Sequence, residues 1–421
     1  MVEQQHSIKI EQSTCVGCVA CMKACPTKAI RVRDEKAVII GERCIDCGEC
    51  FRVCPHGAVT PLTTSASDLK RFKMTIALPS PVLYSQFGRH AMPNEILLAL
   101  KRIGFDYVFD EAWLCEMVSA AIEEYLESQP GPRPLISSTC PAVVRLIAMK
   151  YPNLCRQIIP IDAPREVAAK THRARKVKER GLSPEEIGVI HITPCPAKMI
   201  SINRPLGTDR SHLDGAISIR DIYGPLLSAL KDLDEDVILQ QSSGVGIGWA
   251  MTGGEVNGLK MDNCLAVAGV QDVIKILDEV EAGKLKTVDY LECLICPDGC
   301  VGGPLTVENR HLAKNKVATL VKMFGEKTRV SREMVRRQYK GRFFSLPKEI
   351  AAAPFPPLDR NPARAIEKVR EREEVVHKLP GKDCGACGAP DCKTLAEDVV
   401  LGHASITDCV FVSLEELTPR D

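Results

Sequence analysis

Residues 292–304 read ECLICPDGCVGGP and place two cysteines, Cys296 and Cys300, in a short turn rich in proline and glycine. A cysteine beside proline or glycine at a strand-to-helix turn can present its thiolate to a cofactor without steric obstruction. Four thiolates from distant loops can together hold one [4Fe–4S] cubane. Two further stretches have the same character: SSTCPAVVR at 137–145, with Cys140, and TPCPAKMIS at 193–201, with Cys195.

The region around these stretches alternates short apolar segments with amphipathic ones. The segments that we predict to be strands are MTIALPSPV (74–82), RPLISST (133–139), EEIGVIHIT (185–193) and EDVILQQ (235–241). Those that we predict to be helices are NEILLALKRIGF (94–105), SAAIEEYLESQ (119–129) and IYGPLLSALKDL (222–233). Such alternation predicts an α/β domain with a largely parallel sheet.

The first 62 residues contain two copies of a C-x2-C-x2-C-x3-C-P run. Three thiolates from one tight loop can cap three corners of a [4Fe–4S] cube, whereas the fourth crosses to the other cluster. Zinc is the alternative, but zinc sites use paired C-x2-C knuckles rather than triplets. The segment resembles a bacterial 2[4Fe–4S] ferredoxin, an α+β domain, along its whole length. The predicted ligands are Cys15, Cys18, Cys21 and Cys54 for one cluster, and Cys44, Cys47, Cys50 and Cys25 for the other.

A third cysteine-rich unit follows near the end of the sequence, with the spacing C-x2-C-x4-C-x16-C. The glycines of DCGACGAPDC (383–392) let the backbone fold tightly around a cluster and aim N–H groups at its sulfurs. The unit resembles the small helical [4Fe–4S] domain of corrinoid iron–sulfur proteins, and zinc is again the alternative. Its predicted ligands are Cys384, Cys387, Cys392 and Cys409.

Composition places the chain among cytoplasmic metalloproteins. Its 20 cysteines come without an export signal, and a reducing cytosol keeps thiols from pairing, so metal ligation is expected. Its 55 basic and 54 acidic residues give a net charge of +1, which favours no nucleic-acid partner, and no apolar run is long enough to span a bilayer. The predicted domains are 1–62, ferredoxin-like; 74–345, α/β; 346–377, a linker and helix; and 378–421, the last cluster domain.

The three cysteine stretches of the middle region, taken together and in this order, resemble the signature segments of the [FeFe]-hydrogenase catalytic domain. The resemblance covers residues 74–345 and includes IALPSPV (76–82), NEILLALKRIGFDYVFD (94–110) and SGVGIGWAMTGGEV (243–256). It implies an H-cluster, in which a cubane adjoins a diiron subsite that carries CO, cyanide and a dithiolate once maturation proteins have inserted it. The implied cubane ligands are Cys140, Cys195, Cys296 and Cys300.

The same resemblance gives roles to three residues. Cys300 would bridge the cubane to the diiron subsite, Lys198 would hydrogen-bond a cyanide ligand, and Trp249 would lie near the diiron subsite. The alternatives are a solvated surface lysine and a core aromatic residue. With the two ferredoxin-like clusters and the C-terminal one, the implied cubane brings the expected number of [4Fe–4S] clusters to four.

Several positions depart from the family pattern. Catalytic members carry two adjacent cysteines in the first stretch, and the earlier one relays protons; here that position is Thr139. A thiol, with a pKa of about 8.5, exchanges protons at neutral pH far more readily than an alcohol does. The family glutamate three residues beyond the lysine is Ser201, and two family methionines are replaced by Thr193 and Leu294. We therefore expect intact coordination but slow turnover.

This pattern resembles the sensory branch of the [FeFe]-hydrogenases, in which slow chemistry with H2 and protons suffices. A substitute proton route would use Asp162, Glu123 or Glu124. Electrons would pass through the clusters to a redox or signalling protein. Two alternatives stay open: a full-rate hydrogenase linked to ferredoxin, and a non-enzyme that keeps only cubanes and serves cluster assembly or electron transfer.

The remaining cysteines are predicted by default to pack in the core. Two of them, one inside the third stretch and one on a helix expected to approach the cofactor, are also candidates to lie beside the ligands. The four are Cys293, Cys115, Cys155 and Cys264.

Overall fold

The chain folds into two compact units, each with its own hydrophobic core. The computed structural model describes residues 6–88, 91–128, 131–233 and 236–417. One unit comprises the described residues up to Pro61 together with those from Pro354 onward, and the other comprises Leu62–Ala353. The two outer parts of the sequence therefore pack in a single unit.

The N-terminal part of the first unit is the predicted α+β ferredoxin-like domain. Each cysteine loop leads into a helix of five residues flanked by short strands. Strand β1 pairs antiparallel with β4, and β2 pairs antiparallel with β3. The elements are β1 (Ile8–Ile10), α1 (Ala20–Ala24), β2 (Ile30–Arg33), β3 (Lys36–Ile39), α2 (Glu49–Val53) and β4 (Val59–Pro61).

The second unit contains two parallel sheets, so the predicted parallel α/β architecture is confirmed. Their orders are β6-β5-β8-β9 and β10-β11-β7. Strands β8 and β11 are buried at every position, as central strands covered on both faces are. The strands are β5 (Met74–Pro79), β6 (Tyr107–Val108), β7 (Leu135–Ile136), β8 (Ile187–Thr193), β9 (Gly215–Ser218), β10 (Cys264–Ala268) and β11 (Tyr290–Leu294).

Helices cover both sheets, and four of them begin with proline in the first turn, where its missing N–H has no intrahelical partner to lose. The Cys140–Pro141 and Cys195–Pro196 pairs therefore each place a cysteine immediately before a helix. The helices are α3 (Pro93–Arg102), α4 (Glu111–Ser128), α5 (Pro141–Lys150), α6 (Pro164–Arg180), α7 (Pro196–Asn203), α8 (Ile219–Ala229), α9 (Gly244–Gly248), α10 (Gly254–Asn257), α11 (Val270–Glu281), α12 (Arg310–Phe324) and α13 (Arg332–Lys340).

One predicted strand is wrong. The described part of EDVILQQ, residues 236–241, is irregular, and Ile238 is 81% exposed. Side chains take the place of a neighbouring strand, because Asn94 accepts hydrogen bonds from the Leu239 and Gln240 N–H groups and Asp110 accepts one from Gln241. An apolar run resembles a strand locally, but strand formation needs a pairing edge that tertiary structure does not offer here.

The C-terminal part of the first unit is helical, as predicted. Its small core joins Leu379, Leu395 and Cys409. Among the described residues, no helix of the chain combines the length and apolar character that crossing a bilayer requires. The helices of this part are α14 (Pro362–Lys378), α15 (Cys392–Val400) and α16 (Val410–Leu417).

Candidate metal centre

The thiols of the two N-terminal runs meet in the exchanged arrangement that the spacing predicts. Burial, followed by the charges of Cys15, Cys18 and Cys54, raises the pKa of Cys21 to about 11. Burial and the charges of Cys25 and then Cys21 raise the pKa of Cys50 to about 12, so the two sites are neighbours. The residues that line the two cavities include Cys15, Cys18, Cys21 and Cys54 in one, and Cys25, Cys44, Cys47 and Cys50 in the other.

Backbone N–H groups already point at four of these sulfurs. Such hydrogen bonds stabilise thiolate charge and tune the reduction potential of a cluster. In three of these hydrogen bonds the N–H group lies two to four residues after the cysteine, and in the fourth it lies on β3. The tight loops bring these groups close to the sulfurs. They are Ala29 to Cys25 (3.2 Å), Ala37 to Cys15 (3.3 Å), Asp46 to Cys44 (3.4 Å) and Ala58 to Cys54 (3.3 Å). The eight side chains that would bind metal here are all cysteines, and soft thiolate sulfurs are the ligands that iron–sulfur clusters use.

The C-terminal cysteines also gather. Burial raises the pKa of Cys387, and the charges of Cys409 and Cys384 act in the same direction. Cys392 begins α15 and packs with Cys387 against the core that contains Cys409. Asp383 accepts a hydrogen bond from the Cys392 N–H at 2.8 Å, which closes the loop between the first and third cysteines.

In the second unit, the cysteines of three distant loops converge. Cys140 and Cys195 immediately precede α5 and α7, and the Cys140 sulfur accepts hydrogen bonds from backbone N–H groups. Burial raises the pKa of Cys300 to about 11, and the charges of Cys195 and Cys140 contribute, although Lys198 opposes them. Cys296 is buried four residues before Cys300 in the same turn. These loops supply four soft sulfur donors, which is the number and kind of ligand that a cubane takes.

Backbone contacts clamp the loop of Cys296 and Cys300 in place. The Leu305 N–H donates to the Pro194 carbonyl at 2.8 Å, and the Val301 N–H donates to the Ala250 carbonyl at 2.9 Å. Gly303 approaches so closely that an added Cβ would lie 2.4 Å from the Pro194 oxygen. The second and third cysteine stretches are therefore positioned against each other by main chain alone.

We expect Gly303→Ala to lose the iron of one cubane, because the methyl group would push the third cysteine stretch away from the second. Overpacking of this kind costs roughly 1–3 kcal/mol. Iron per chain and the visible charge-transfer absorbance are the measurements. Gly131→Ala is the control, since an added Cβ there meets nothing within 4 Å. Unchanged iron in Gly303→Ala would contradict the expectation.

Lys198 is buried on α7, as a ligand-facing lysine would be, and not a solvated surface residue. Burial lowers its pKa, but the charges of Cys300, Cys195 and Glu111 outweigh burial and the net direction is upward. In the described part of the chain, no oxygen accepts a hydrogen bond from the Lys198 ammonium group. A buried ammonium without a direct acceptor fits a site that takes an anionic ligand.

Three other sequence candidates lie in the packed interior. Trp249 belongs to the main core, and its indole N–H donates to the Ser119 hydroxyl at 3.0 Å, which is the core-aromatic alternative. Burial raises the pKa of Cys115, whose other charged neighbours include Glu111 and Lys198. Burial likewise raises the pKa of Cys293, with Cys140 as the next contribution. Cys115 and Cys293 thus lie beside the thiol set, whereas Cys155 and Cys264 are only half-buried.

Thr139, which stands in place of the family's relay cysteine, is linked through Ser137 to a buried carboxyl group that no sequence pattern indicates. Glu255, at the start of α10, accepts hydrogen bonds from the Ser137 hydroxyl at 2.9 Å and from Tyr290, and the Ser137 hydroxyl in turn accepts one from the Thr139 N–H at 3.2 Å. Burial raises the pKa of Glu255 to about 7, although these hydrogen bonds lower it. A carboxyl group with this pKa exchanges protons at neutral pH.

A second buried carboxyl group completes a pair. Glu292 on β11 accepts hydrogen bonds from the Gly253 and Val256 N–H groups at 3.0 Å each. Burial, followed by the charge of Glu255, raises the pKa of Glu292 to about 8. A signal for this residue was present in the sequence, because Glu292 is the one acidic residue of the apolar strand YLECL. An acidic residue in such a strand is costly unless it is bonded or functional.

The acidic residues proposed from the sequence as proton carriers have other partners. Glu123 accepts a hydrogen bond from the Lys260 N–H and pairs with Arg332, and Glu124 pairs with Arg336. Burial raises the pKa of Asp162 to about 6, and Lys170 lies 3.6 Å away. Among the described residues, none of these three carboxyl groups forms a hydrogen bond with Thr139.

A buried arginine occupies the space behind two of the altered positions. Arg165 donates to the Thr139 carbonyl at 3.3 Å and to the Ser201 hydroxyl at 3.4 Å. Because a guanidinium group stays protonated in proteins, it does not pass protons at neutral pH. Arg165 therefore does not carry protons between Thr139 and Ser201.

Parallel sheets, three converging cysteine loops and additional cysteine sites define the class as an iron–sulfur protein with several thiol-lined sites. The family model for the iron-only hydrogenase large subunit, C-terminal domain, matches residues 73–260 and 250–304, which is more than half of the chain. The chain belongs to this family. A 4Fe-4S dicluster domain model matches residues 7–55, and a model for an Fe-S cluster domain matches residues 379–411.

Curated relatives are distant. The chain is 26% identical to the periplasmic [Fe] hydrogenase large subunit of Nitratidesulfovibrio vulgaris, over 72% of this chain and 86% of that protein. It is 23% identical to iron hydrogenase 1 of Clostridium pasteurianum, of which it covers 65%. It is 22% identical to the "Probable cytosolic Fe-S cluster assembly factor oxy-4" of Caenorhabditis elegans, of which it covers 72%.

Solved structures show the same fold. The [FeFe]-hydrogenase HydA1 of Chlamydomonas reinhardtii matches with a TM-score of 0.52 at 18% identity, over 69% of this chain and 97% of that one. The predicted fold class, a hydrogenase catalytic domain between a ferredoxin-like domain and a helical iron–sulfur domain, is thereby confirmed.

Proposed function

We propose that this chain is a sensory-type [FeFe]-hydrogenase homologue that interconverts H2 with two protons and two electrons slowly. The observation that carries the proposal is the combination of a complete thiol set and a buried lysine with Thr139 linked to Glu255 through Ser137. The cysteines that would coordinate the cubane are present, while the proton-exchanging thiol is replaced by a weaker acid. Such a site favours reporting on H2 over rapid turnover.

The residues that would hold the cofactor are those of the converging loops. Cys140, Cys195, Cys296 and Cys300 would ligate the cubane, and Cys300 would also bridge to the diiron subsite. When bound, the diiron subsite supplies the reversible cleavage of H2. Lys198 would donate a hydrogen bond to an anionic ligand of that subsite, because its ammonium group is buried among the thiols.

The proton route that we propose leaves the site through Thr139. Its hydroxyl group would exchange protons with Glu255, whose raised pKa allows the carboxyl group to hold a proton near neutral pH. Tyr290 and Glu292 continue the buried polar group beyond Glu255. Each transfer through the weakly acidic hydroxyl needs it to give up one proton as it receives another, which limits the rate.

Electrons would travel through the remaining clusters, for a total of four [4Fe–4S] clusters in the loaded chain. The dicluster and Fe-S matches support this relay. A 37-residue stretch that is 51% identical to part of an ion-translocating oxidoreductase complex of Rhodobacter capsulatus supports a redox protein as the partner. We place the protein in the cytoplasm, where maturation proteins would insert the diiron subsite.

Two other functions are favoured by specific observations. The similarity to the N. vulgaris and C. pasteurianum hydrogenases favours a full-rate hydrogenase. The similarity to the C. elegans assembly factor favours a non-enzyme that holds only cubanes. The Glu255–Glu292 pair beside Thr139 weighs against the non-enzyme, because a buried pair of carboxyl groups is costly without a use.

The deciding experiment is infrared spectroscopy of the full chain expressed with hydrogenase maturation proteins. We expect CO and cyanide stretches that shift between argon and H2, and none in protein expressed without maturation proteins. A Thr139→Cys variant should raise H2 evolution by about tenfold or more, because a thiol exchanges protons more readily. High H2 evolution by the unaltered chain would favour the full-rate enzyme. Full cubane iron without CO and cyanide bands would favour the non-enzyme.

A further inference from the structure

The C-terminal cysteine loop packs on α1, which contains Cys21 and is followed immediately by Cys25, so that the predicted ligands of both N-terminal clusters lie at this helix. Lys23 on α1 donates to the carbonyl groups of Asp383 (2.5 Å) and Pro390 (3.0 Å). An added Cβ at Gly385 would lie 3.2 Å from both the Met22 and Lys23 side chains. Cys21 and Cys25 flank these two residues in the sequence, so Cys384 lies one residue from a contact with the ferredoxin-like ligand helix.

Strand β2 forms the second half of this contact. The Val32 N–H donates to the Gly388 carbonyl at 2.9 Å, and an added Cβ at Gly388 would lie 1.9 Å from the Val32 oxygen. Arg33 donates to the Cys387 carbonyl at 2.9 Å. Only a glycine allows two main chains to meet this closely, so the loop geometry is built for contact with β2.

A buried ion pair locks the two parts together. The Arg31 guanidinium group donates to both Asp398 oxygens, at 2.6 Å and 3.1 Å, and the two side chains are only 7% and 6% exposed. Arg33 also donates to Asp398, at 3.0 Å. A third N–H group of Arg31 donates to the Lys28 carbonyl at 2.8 Å. Burying both charges is tolerated only because the geometry is bidentate and additional hydrogen bonds complete it.

Two further ion pairs join the ferredoxin-like part to the C-terminal part, again with the basic residue on the former and the acidic residue on the latter. Lys28 pairs with Asp391 at 2.5 Å, and Arg43 pairs with Glu397. The basic partners all lie on the ferredoxin-like part, and the acidic ones all lie on α15 or immediately before it. The contact is therefore a specific interface and not incidental packing of a flexible tail.

We infer that the C-terminal cluster is a fixed third member of one relay, locked by the Arg31–Asp398 ion pair against β2 and against α1, the helix between Cys18 and Cys25. It is not a mobile domain that exchanges electrons on its own. When bound at these cysteines, the clusters would supply one-electron transfer between a reduced 1+ and an oxidised 2+ neighbour, with no bond formed or broken. The inference rests on the proposed loading of the three cysteine sites and is independent of the diiron subsite.

The test uses the full chain expressed without maturation proteins, so that its failure is distinct from failure of the proposed function. Dithionite supplies the electrons, and electron paramagnetic resonance reports magnetic coupling between reduced clusters. In the unaltered protein we expect the C-terminal cluster signal to be broadened by its neighbours. In Arg31→Met, with iron content unchanged, we expect an additional sharp, uncoupled signal. The Val32 amide should exchange hydrogen for deuterium at least about tenfold faster.

Arg175→Met is the matched control, because it breaks an exposed ion pair with Glu179 on α6 of the other unit and should change neither measurement. If Arg31→Met loses iron through misfolding, the milder Arg33→Met decides by the same two measurements. An uncoupled C-terminal signal in the unaltered protein would overturn the inference. So would Val32 exchange or cluster coupling that stays the same when the ion pair is removed.

Discussion

Glu255→Gln is expected to lower H2 evolution by the matured protein by about 100- to 10,000-fold, the usual contribution of a positioned acid or base. The amide keeps the volume and can still accept a hydrogen bond from Ser137 or Tyr290, but it carries no exchangeable acid proton. Thr139 would then lose its proton donor while the thiol set stays intact. Turnover with a chemical reductant under saturating conditions is the measurement.

The pH profile separates this role from a structural one. Burial raises the pKa of Glu255 to about 7, so its carboxyl group is protonated below pH 7 and can deliver protons there. H2 evolution should therefore fall as the pH rises through about 7, and this dependence should be absent in Glu255→Gln. H2 oxidation, which needs a proton acceptor, should show the opposite trend in the unaltered protein.

Glu123→Gln serves as the matched control, since Glu123 is an equally buried glutamate that is paired with Arg332 and has no recorded contact with Thr139. It should retain activity and the pH profile. Glu255→Asp should recover part of the activity. Infrared bands of equal intensity in all variants would show that the cofactor is present. An active Glu255→Gln variant with an unchanged pH profile would contradict the proposed proton route.

The second large effect is expected for Lys198→Met, which should weaken retention of the diiron subsite by about 10- to 100-fold. Methionine fills similar space but removes the buried ammonium group that faces Cys300 and Cys195. An anionic ligand in this place would lose its charge-assisted hydrogen bond. The CO and cyanide bands should weaken or vanish, while cubane iron stays constant because all four cysteines remain.

Lys176→Met controls for the loss of any buried lysine, because Lys176 is equally buried but pairs with Glu179 on α6. It should leave the infrared bands unchanged. If Lys198→Met keeps full band intensity and unshifted cyanide frequencies, Lys198 does not face the diiron subsite. If it loses cubane iron as well, the lysine acts on folding and not on the ligand.

Local sequence determined which cysteines gather at each of the two ferredoxin-like sites. In the ferredoxin-like part, the run from Cys15 to Cys25 is too tight for its fourth sulfur to return to the same cluster, so the exchange with Cys54 is a consequence of spacing. The pairs Cys140–Pro141 and Cys195–Pro196 fixed helix starts in the same local way. Such features depend on a few neighbouring residues, and the sequence therefore contains them in full.

Only the tertiary structure decided which distant polar groups meet. Thr139 and Glu255 come from separate loops, and Arg31 and Asp398 are separated by 367 positions. Neither pair has a spacing rule, because their contact depends on how β7, α10 and β11, or β2 and α15, pack. The same reason explains why the apolar run at 236–241 formed no strand. The hydrophobic pattern of a segment indicates which side chains it can bury, whereas the fold decides which segment packs against it.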